Sequence, residues 1–158
     1  MSLSRRTFLF FTAVTLAGCG FEPVYGPGGR AETLSGRIDV LPPADEEGRA
    51  LTRRLEDRLG LPQAPDLILG ADIAITEEEL GVLPEGSISR YNVIGRVDWT
   101  LTRDDEIVLQ GSEQSFTAYS ATSTTVATII AQRDARERLM ILIADRITAD
   151  ILARADAL

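Results

Sequence analysis

VIGRVDWTLT, residues 93–102, alternates between two sets of side chains along its whole length. One set is apolar or glycine and the other is mostly polar: Val93, Gly95, Val97, Trp99 and Leu101 against Ile94, Arg96, Asp98, Thr100 and Thr102. A period of two is typical of a β-strand that buries one face and exposes the other. The segment therefore predicts a half-buried strand with Trp99 as a core residue.

The residues that follow this segment predict a hairpin. The polar run RDDE at 103–106 favours a turn, and residues 107–119 have the composition of a returning strand. The alternation slips at residues 111–113, which predicts a β-bulge there.

The residues that precede it predict two more strands. Residues 67–76 alternate in the same way. The acidic run EEE at 77–79 favours a solvated turn, and Gly81, Pro84 and Gly86 favour an irregular loop after it. Residues 34–41 predict the first strand of the chain, which ends at two prolines because proline cannot donate to a sheet ladder.

Two further segments have helical patterns. Residues 45–59 begin with three carboxylates, which favour a helix N-terminus, and Gly60 and Pro62 favour the end of that helix. Residues 122–152 predict a long closing helix with Ser123, Thr124 or Thr125 as its cap. The apolar stripe of the long helix consists of Ala127, Ala131, Ala135, Leu139, Leu142, Ile143, Ile147 and Ile151.

The first of these helices is rich in arginine: Arg49, Arg53, Arg54 and Arg58. The cluster has two interpretations, a phosphate-binding site or a solvated helix face with ion pairs. The interleaved Glu56 and Asp57 favour the second interpretation.

Together these segments predict an α+β fold with the element order β-α-β-β-β-α. We expect a two-layer sandwich, in which two helices pack on one face of a four-stranded, mostly antiparallel sheet. The other face of the sheet is then partly open.

The N-terminal residues are typical of an export signal. Arg5 and Arg6 precede an apolar run at residues 7–17, which is too short to span a bilayer because a helix needs about 20 residues to do so. The sequence LAGC at 16–19 resembles the bacterial lipobox, in which the cysteine is lipidated. Two adjacent arginines fit both the twin-arginine route and the ordinary secretory route, and the sequence leaves both open.

These features divide the chain into three parts. Residues 1–18 are predicted to be a lipoprotein signal peptide, residues 19–33 the lipidated Cys19 and a flexible tether, and residues 34–158 the folded α/β domain. Cys19 is the one cysteine of the chain, so it cannot form an internal disulfide. We therefore expect a membrane anchor through the lipid on Cys19.

The residue inventory excludes several functions. The chain has no histidine and no lysine, so a Ser-His-Asp site, a Ser-Lys dyad and a histidine-based zinc site are impossible. We expect no enzymatic activity, no cofactor and no metal site. A net charge of −8 also makes general nucleic-acid binding a poor fit, because that function needs a basic surface.

Three segments resemble one protein family. They are CGFEPVYG at 19–26, FTAY at 116–119, and the long closing helix with DA at 134–135 and LIA at 142–144. Together with the element order, they resemble the lipopolysaccharide-assembly lipoprotein family LptE in its alphaproteobacterial form.

The resemblance implies partners rather than a reaction. Members of this family sit on the periplasmic side of the outer membrane, insert into the LptD β-barrel as a plug, and take part in the transport and insertion of lipopolysaccharide. The chain is then expected to bind an LptD-like β-barrel and lipopolysaccharide. Two alternatives stay open, an auxiliary lipoprotein of an ABC-type lipid transport system and a structural envelope lipoprotein.

An anionic ligand such as lipopolysaccharide needs cations for its phosphates. Arg90, Arg96 and Arg103 are the candidates, because they lie on or next to the long strand and the planar guanidinium suits phosphate. The alternative is that they are ordinary solvent-facing strand residues.

Overall fold

The computed structural model describes residues 26, 29–41, 43–82, 88–121 and 124–158. The elements in chain order are helix α1 (Arg30–Leu34), strand β1 (Ile38–Leu41), helix α2 (Glu46–Leu59), strand β2 (Leu67–Val82), strand β3 (Ile88–Arg103), strand β4 (Glu106–Ser120), helix α3 (Thr125–Ala153) and a 3₁₀ turn (Ala155–Ala157). The predicted signal peptide and Cys19 lie outside the described residues.

The four strands form one sheet in the order β1-β2-β3-β4. Strand β1 pairs with β2 in parallel, and the other two pairs are antiparallel. Helices α2 and α3 pack on one face of this sheet. The predicted α+β class, with a four-stranded, mostly antiparallel sheet, is confirmed.

The core lies between the helices and the inward face of the sheet. Trp99 is 1% exposed, so its predicted place in the core is confirmed. The fully buried side chains of α3 run from Ala135 to Ile151. Leu142 departs from the predicted stripe and is 45% exposed, because it lies on the flank of α3 instead of the buried face. Ala127 is exposed as well, in the first turn of the helix.

The caps and turns follow local chemistry. Asp45 caps α2 by accepting the Gly48 N–H at 2.6 Å, and Gly60 ends the helix at a φ of 85°, which favours glycine. Thr124 is the cap of α3, which settles the choice among three candidates. Asp104 and Asp105 both have positive φ in the two-residue turn between β3 and β4, as in the hairpin turns that match strand twist.

Helix α1 spans the boundary between the predicted tether, residues 19–33, and the predicted first strand, residues 34–41. The strand begins at Ile38 rather than at residue 34, and the buried Leu34 ends the helix. Arg30 of this helix donates to the Ala153 carbonyl and to the Asp156 carboxylate, so these contacts connect it to the end of α3.

The predicted acidic turn at residues 77–79 is wrong. Glu77, Glu78 and Glu79 continue β2, paired in turn with Val93, Asn92 and Tyr91 of β3. Pairing along the ladder overrides the low strand propensity of glutamate. The backbone of residues 77–79 pairs with β3, which comes later in the sequence, so the local sequence pattern could not predict this pairing.

The bulge predicted at residues 111–113 is also wrong. The pairing of β3 and β4 runs through these residues without a shift, and the irregularity lies between Leu101 and Thr102. Gly111 interrupts the alternation because it faces Trp99 across the ladder. A Cβ built on Gly111 would lie 2.7 Å from Cζ2 of the indole, so only glycine leaves room for the ring.

This contact predicts the effect of substituting Gly111. We expect Gly111→Ala to lower the free energy of unfolding by about 1–3 kcal/mol, because the indole or the strand must shift to admit the methyl group. Urea unfolding followed by the fluorescence of Trp99 measures it.

The matched control is Gly70→Ala. The nearest atom to a Cβ at Gly70 is Oγ1 of Thr100 at 3.4 Å, an ordinary contact. There the substitution should be neutral or should stabilise by up to about 1 kcal/mol, since alanine restricts the unfolded chain. Equal stability of the two variants would contradict the role assigned to Gly111.

Candidate functional site

The face of the sheet that carries no helix is a candidate binding surface, and we call it the open face. Its side chains come from alternate positions of three strands: Ile68, Gly70, Asp72, Ala74, Thr76 and Glu78 on β2; Arg90, Asn92, Ile94, Arg96, Asp98, Thr100 and Thr102 on β3; and Gln110, Ser112, Gln114, Phe116, Ala118 and Ser120 on β4. Most of these are small or uncharged polar residues. The surface therefore presents hydrogen-bonding groups rather than a dense field of charge.

The three arginines proposed for an anionic ligand do not converge. Arg90 and Arg96 lie on the open face, six positions apart along β3, which corresponds to about 20 Å in an extended strand. Arg103 lies at the end of β3, half-buried, where it donates to the Leu158 carbonyl at 3.1 Å and pairs with Asp66. The structure therefore does not bring the three side chains into one site.

Arg96 carries its own counter-ion. Its guanidinium donates to Asp98, with Nη2 2.8 Å from Oδ1. Hydrogen bonds from Arg96 lower the pKa of the Asp98 carboxyl, and Asp98 raises the pKa of Arg96. An anion that binds Arg96 would have to compete with this carboxylate.

An apolar pair interrupts the polar open face. Phe116 is 69% exposed, and Ile94 faces it directly across the ladder. A shallow cavity of about 390 Å³ lies beside them, lined by Asn92, Ile94, Gln114, Ser115, Phe116 and Arg146.

On the helix-covered face, a cluster of polar side chains surrounds Glu77. Its carboxylate accepts hydrogen bonds from Arg136 Nη2 at 2.7 Å, from Gln132 Nε2 at 2.9 Å and from the Tyr119 hydroxyl at 2.9 Å. Arg136 also donates to Glu47 of α2 at 3.0 Å. The cluster thus joins β2, β4, α2 and α3 at one point.

The electrostatics of the Glu77 cluster favour the ionised carboxylate. Burial raises the pKa of Glu77, but the hydrogen bonds from Arg136, Gln132 and Tyr119 outweigh burial, and the net effect lowers the pKa. Burial and the Glu77 carboxylate together raise the pKa of Tyr119 to about 12. The Tyr119 ring stacks on Tyr91 with centroids 5.2 Å apart.

The arginines of α2 mostly pair with carboxylates of α3. Arg54 and Arg58 both donate to Asp145, at 3.0 and 2.9 Å, and Arg53 lies 3.3 Å from Glu137. The hydrogen bond from Arg54 is the main cause that lowers the pKa of Asp145. The ion-pair interpretation of this cluster is therefore correct, although the partners lie on the other helix and not beside the arginines in sequence.

A groove of about 300 Å³ lies between the two long helices, lined by Glu46, Glu47, Ala50, Arg53, Ile129, Gln132, Arg133, Arg136 and Glu137. Its three arginines and three glutamates balance in charge. The groove is thus a weak candidate for binding an anion.

No helix within the described ranges is both long and apolar enough to cross a membrane. The same ranges contain no group of three or more His, Cys, Asp or Glu side chains arranged to hold a metal ion.

Sequence reasoning missed both the Glu77 cluster and the cavity beside Phe116. Glu77 is separated from Gln132 and Arg136 by 55 and 59 residues, so no local pattern connects them. For Phe116 a signal was present, because an aromatic residue sits among polar residues on the outward positions of β4.

A family model described as LptE, lipopolysaccharide-assembly, matches residues 36–151, which is well over half of the chain. No curated protein matches the chain. Among solved structures, a chain from Caulobacter crescentus CB15 described as a lipoprotein has a TM-score of 0.67 and 23% identity, over 81% of this chain and 98% of that one.

Two other solved structures share the fold. Rare lipoprotein B from Shewanella oneidensis has a TM-score of 0.57 at 16% identity and covers 74% of this chain and 92% of its own. A minor lipoprotein from Acinetobacter baumannii has a TM-score of 0.55 at 14% identity, over 77% of this chain and 94% of its own. At these identities the likeness concerns the fold alone.

The Glu77 cluster predicts a pH-dependent contribution to stability. We expect Glu77→Gln to lower the free energy of unfolding at pH 7 by about 1–3 kcal/mol, because Arg136 loses its shortest ionic contact. The folded-state pKa of Glu77 lies below its ordinary value of 4.5, so the contribution is complete above that value and is lost as the pH falls through the folded-state pKa.

Urea unfolding from pH 7 to pH 3 measures this effect. The stability difference between the unmodified protein and Glu77→Gln should shrink at the acidic end. Asp98→Asn is the matched control, because it breaks an Arg-carboxylate pair that is exposed, and it should leave stability unchanged. A difference for Glu77→Gln that stays constant over this range would contradict the assignment.

Proposed function

Because the chain belongs to the LptE lipopolysaccharide-assembly family, we propose that it is an outer-membrane lipoprotein that assembles with an LptD-like β-barrel. In this role it plugs the barrel from the periplasmic side and takes part in the transport and insertion of lipopolysaccharide at the cell surface. The role is one of binding and assembly, with no catalytic step.

The observation that carries this proposal is the family match over residues 36–151. It spans β1, α2, the three long strands and nearly all of α3. The names of two solved structures of the same fold, rare lipoprotein B and minor lipoprotein, agree with a role in the bacterial envelope.

The open face supports the plug role on physical grounds. A large barrel has a polar, water-filled lumen unless another element occupies it. A sheet face with serine, threonine, asparagine and glutamine side chains can exchange hydrogen bonds with such a wall. Its central charges, Arg96 and Asp98, already neutralise each other, so docking would not bury an isolated charge there.

The anchor belongs to the same proposal. Cys19, at the end of the predicted signal peptide, is the lipidation site that holds the domain on the periplasmic face of the outer membrane. For lipopolysaccharide itself, Arg90, Arg96 and Arg103 stay the predicted contacts. Among the described residues no carboxylate lies within ion-pair distance of Arg90, so its guanidinium is the one of the three without such a competitor.

Co-purification tests the proposed partner. We expect a tag at the C-terminus to recover a large β-barrel in a near one-to-one ratio from outer membranes solubilised in mild detergent. Recovery of an inner-membrane permease and ATPase would instead indicate an ABC-type lipid transport system. Recovery of the lipoprotein alone would contradict assembly with a barrel.

A second prediction concerns the anchor. Cys19→Ser should abolish incorporation of labelled palmitate and should move the protein from the outer-membrane fraction to the soluble periplasmic fraction, because the acyl chains provide the membrane affinity. The adjacent variant Gly20→Ala should still incorporate label. Palmitate incorporation by the Cys19→Ser protein would rule out Cys19 as the lipidation site.

A further inference from the structure

The chain enters the folded domain at one end of its long helix. Helix α1 is connected to the end of α3, because Arg30 donates to the Ala153 carbonyl at 3.3 Å and to the Asp156 carboxylate at 2.6 Å. Gly26, where the described residues begin, is seven positions after Cys19, and a fully extended chain of that length covers at most about 25 Å. A lipid on Cys19 would therefore keep this end of the domain close to the bilayer.

We call this region the entry end, and it consists of α1, the loop at residues 60–66, the turn between β3 and β4 at residues 103–106, and the 3₁₀ turn. Hydrogen bonds join these parts to the rest of the domain. Gln63 donates its N–H to the Gly36 carbonyl at 3.0 Å, and Arg103 donates to the Leu158 carbonyl at 3.1 Å. The start of α3 lies at the opposite end of the domain, about 40 Å away along this 29-residue helix.

The entry end exposes apolar side chains. Leu61, in the loop at residues 60–66, is 65% exposed, and Ile107, directly after the β3–β4 turn, is 55% exposed. Ile107 pairs with Thr102 and Thr102 pairs with Ile68, so these three side chains form one row across the sheet. Exposed leucine and isoleucine side chains beside a lipid anchor suit the boundary between lipid headgroups and acyl chains.

The charges of the entry end favour one kind of lipid surface. Three arginines at this end already have carboxylate partners: Arg30, Arg37 and Arg103. Asp104, Asp105 and Glu106 of the turn are exposed, and no arginine of the described residues lies within ion-pair distance of them. This surplus of carboxylates suits the ammonium group of a zwitterionic headgroup and opposes an anionic lipid.

We propose that the entry end rests on a zwitterionic lipid surface, with Leu61 and Ile107 in the headgroup region and the carboxylates of the β3–β4 turn beside lipid ammonium groups. Helix α3 then rises from the bilayer, and the start of this helix lies farthest from it. This inference rests on the proposed function, which supplies the anchor on Cys19, and adds the surface of the domain that meets the membrane.

A second copy of this chain fits the entry end less well than a bilayer does. A symmetric dimer uses the same surface on both subunits. It would bring the acidic turns of both copies into one interface, and the arginines at this end already have carboxylate partners. A zwitterionic lipid surface supplies the cations that a second copy lacks.

Contact through the open face is also less favourable. Arg96 and Asp98 lie in the middle of this face, and the side chain of each is more than half exposed. A domain lying flat on the bilayer would have to remove this ion pair from water, which costs free energy. Contact through the entry end leaves the pair solvated.

Quenching of tryptophan fluorescence by brominated lipid tests the orientation. The full-length, lipidated protein is reconstituted on vesicles of phosphatidylethanolamine and brominated phosphatidylcholine. Leu61→Trp should lose emission relative to the same protein on unbrominated vesicles, because the new indole lies among the lipids. Val126→Trp is the matched control at the start of α3, where Val126 is 68% exposed, and it should keep its emission. The unmodified protein gives the background from Trp99, which is buried.

A second set of vesicles tests the charge preference. Replacing phosphatidylethanolamine by the anionic phosphatidylglycerol should reduce the quenching of Leu61→Trp at low salt, because the turn carboxylates are repelled. Adding Asp104→Asn and Asp105→Asn should restore the quenching, and asparagine tolerates the positive φ of both positions. Quenching that is the same on both kinds of vesicle would contradict the choice of a zwitterionic surface. Thermal unfolding shows whether each variant is folded.

The outcomes separate this inference from the proposed function. Protein that floats with the vesicles while Leu61→Trp keeps its emission retains the anchor and overturns the contact of the entry end. Equal quenching of Leu61→Trp and Val126→Trp would mean that the domain lies on its side, which also overturns the inference. Protein that does not float with the vesicles lacks the anchor, and this result overturns both.

Discussion

The packing of α3 along one face of the sheet is the contact on which the rest of the structure depends. On the sheet-facing side of this helix, Ala135, Leu139, Ile143, Ile147 and Ile151 are fully buried. Because side chains alternate along each strand, this single choice of face fixes which residues of β2, β3 and β4 are inside and which form the open face. The same placement lets α3 reach both the β4 edge and the Glu77 cluster.

Charged side chains hold this arrangement at its margins. On one flank α3 pairs with α2 through Asp145, Glu137 and Arg136, and on the other flank Arg146 and Arg154 reach backbone carbonyls of β4. Exposed ion pairs contribute little each. The Glu77 cluster differs because the carboxylates of Glu77 and Glu47 are mostly buried and Glu77 accepts hydrogen bonds from three side chains, so it connects the strands and helices more firmly than the surface pairs do.

Strands and helices that have a clear repeat in their own residues were predicted from the sequence. Features that depend on contacts with residues distant in the sequence were missed. The alternation at residues 93–102 and the capping residues around α2 indicated their elements directly. The continuation of β2 through Glu77 depends on β3, and the role of Gly111 depends on the Trp99 ring opposite it. Of the candidate site, the open face was predicted from the element order, whereas the separation of Arg90, Arg96 and Arg103 became visible only in three dimensions.

The two edges of the sheet are protected from pairing with other strands in different ways. Strand β1 is only four residues long, so it offers few unpaired groups to another strand. Strand β4 is fifteen residues long, and Arg154 and Arg146 of α3 donate to its carbonyl oxygens at Gln110 and Gln114. Arginine suits this task because its planar group carries several donors on a long stem. The long edge is therefore covered in part by side chains of the helix that packs beside it, whereas the short edge exposes few backbone groups in the first place.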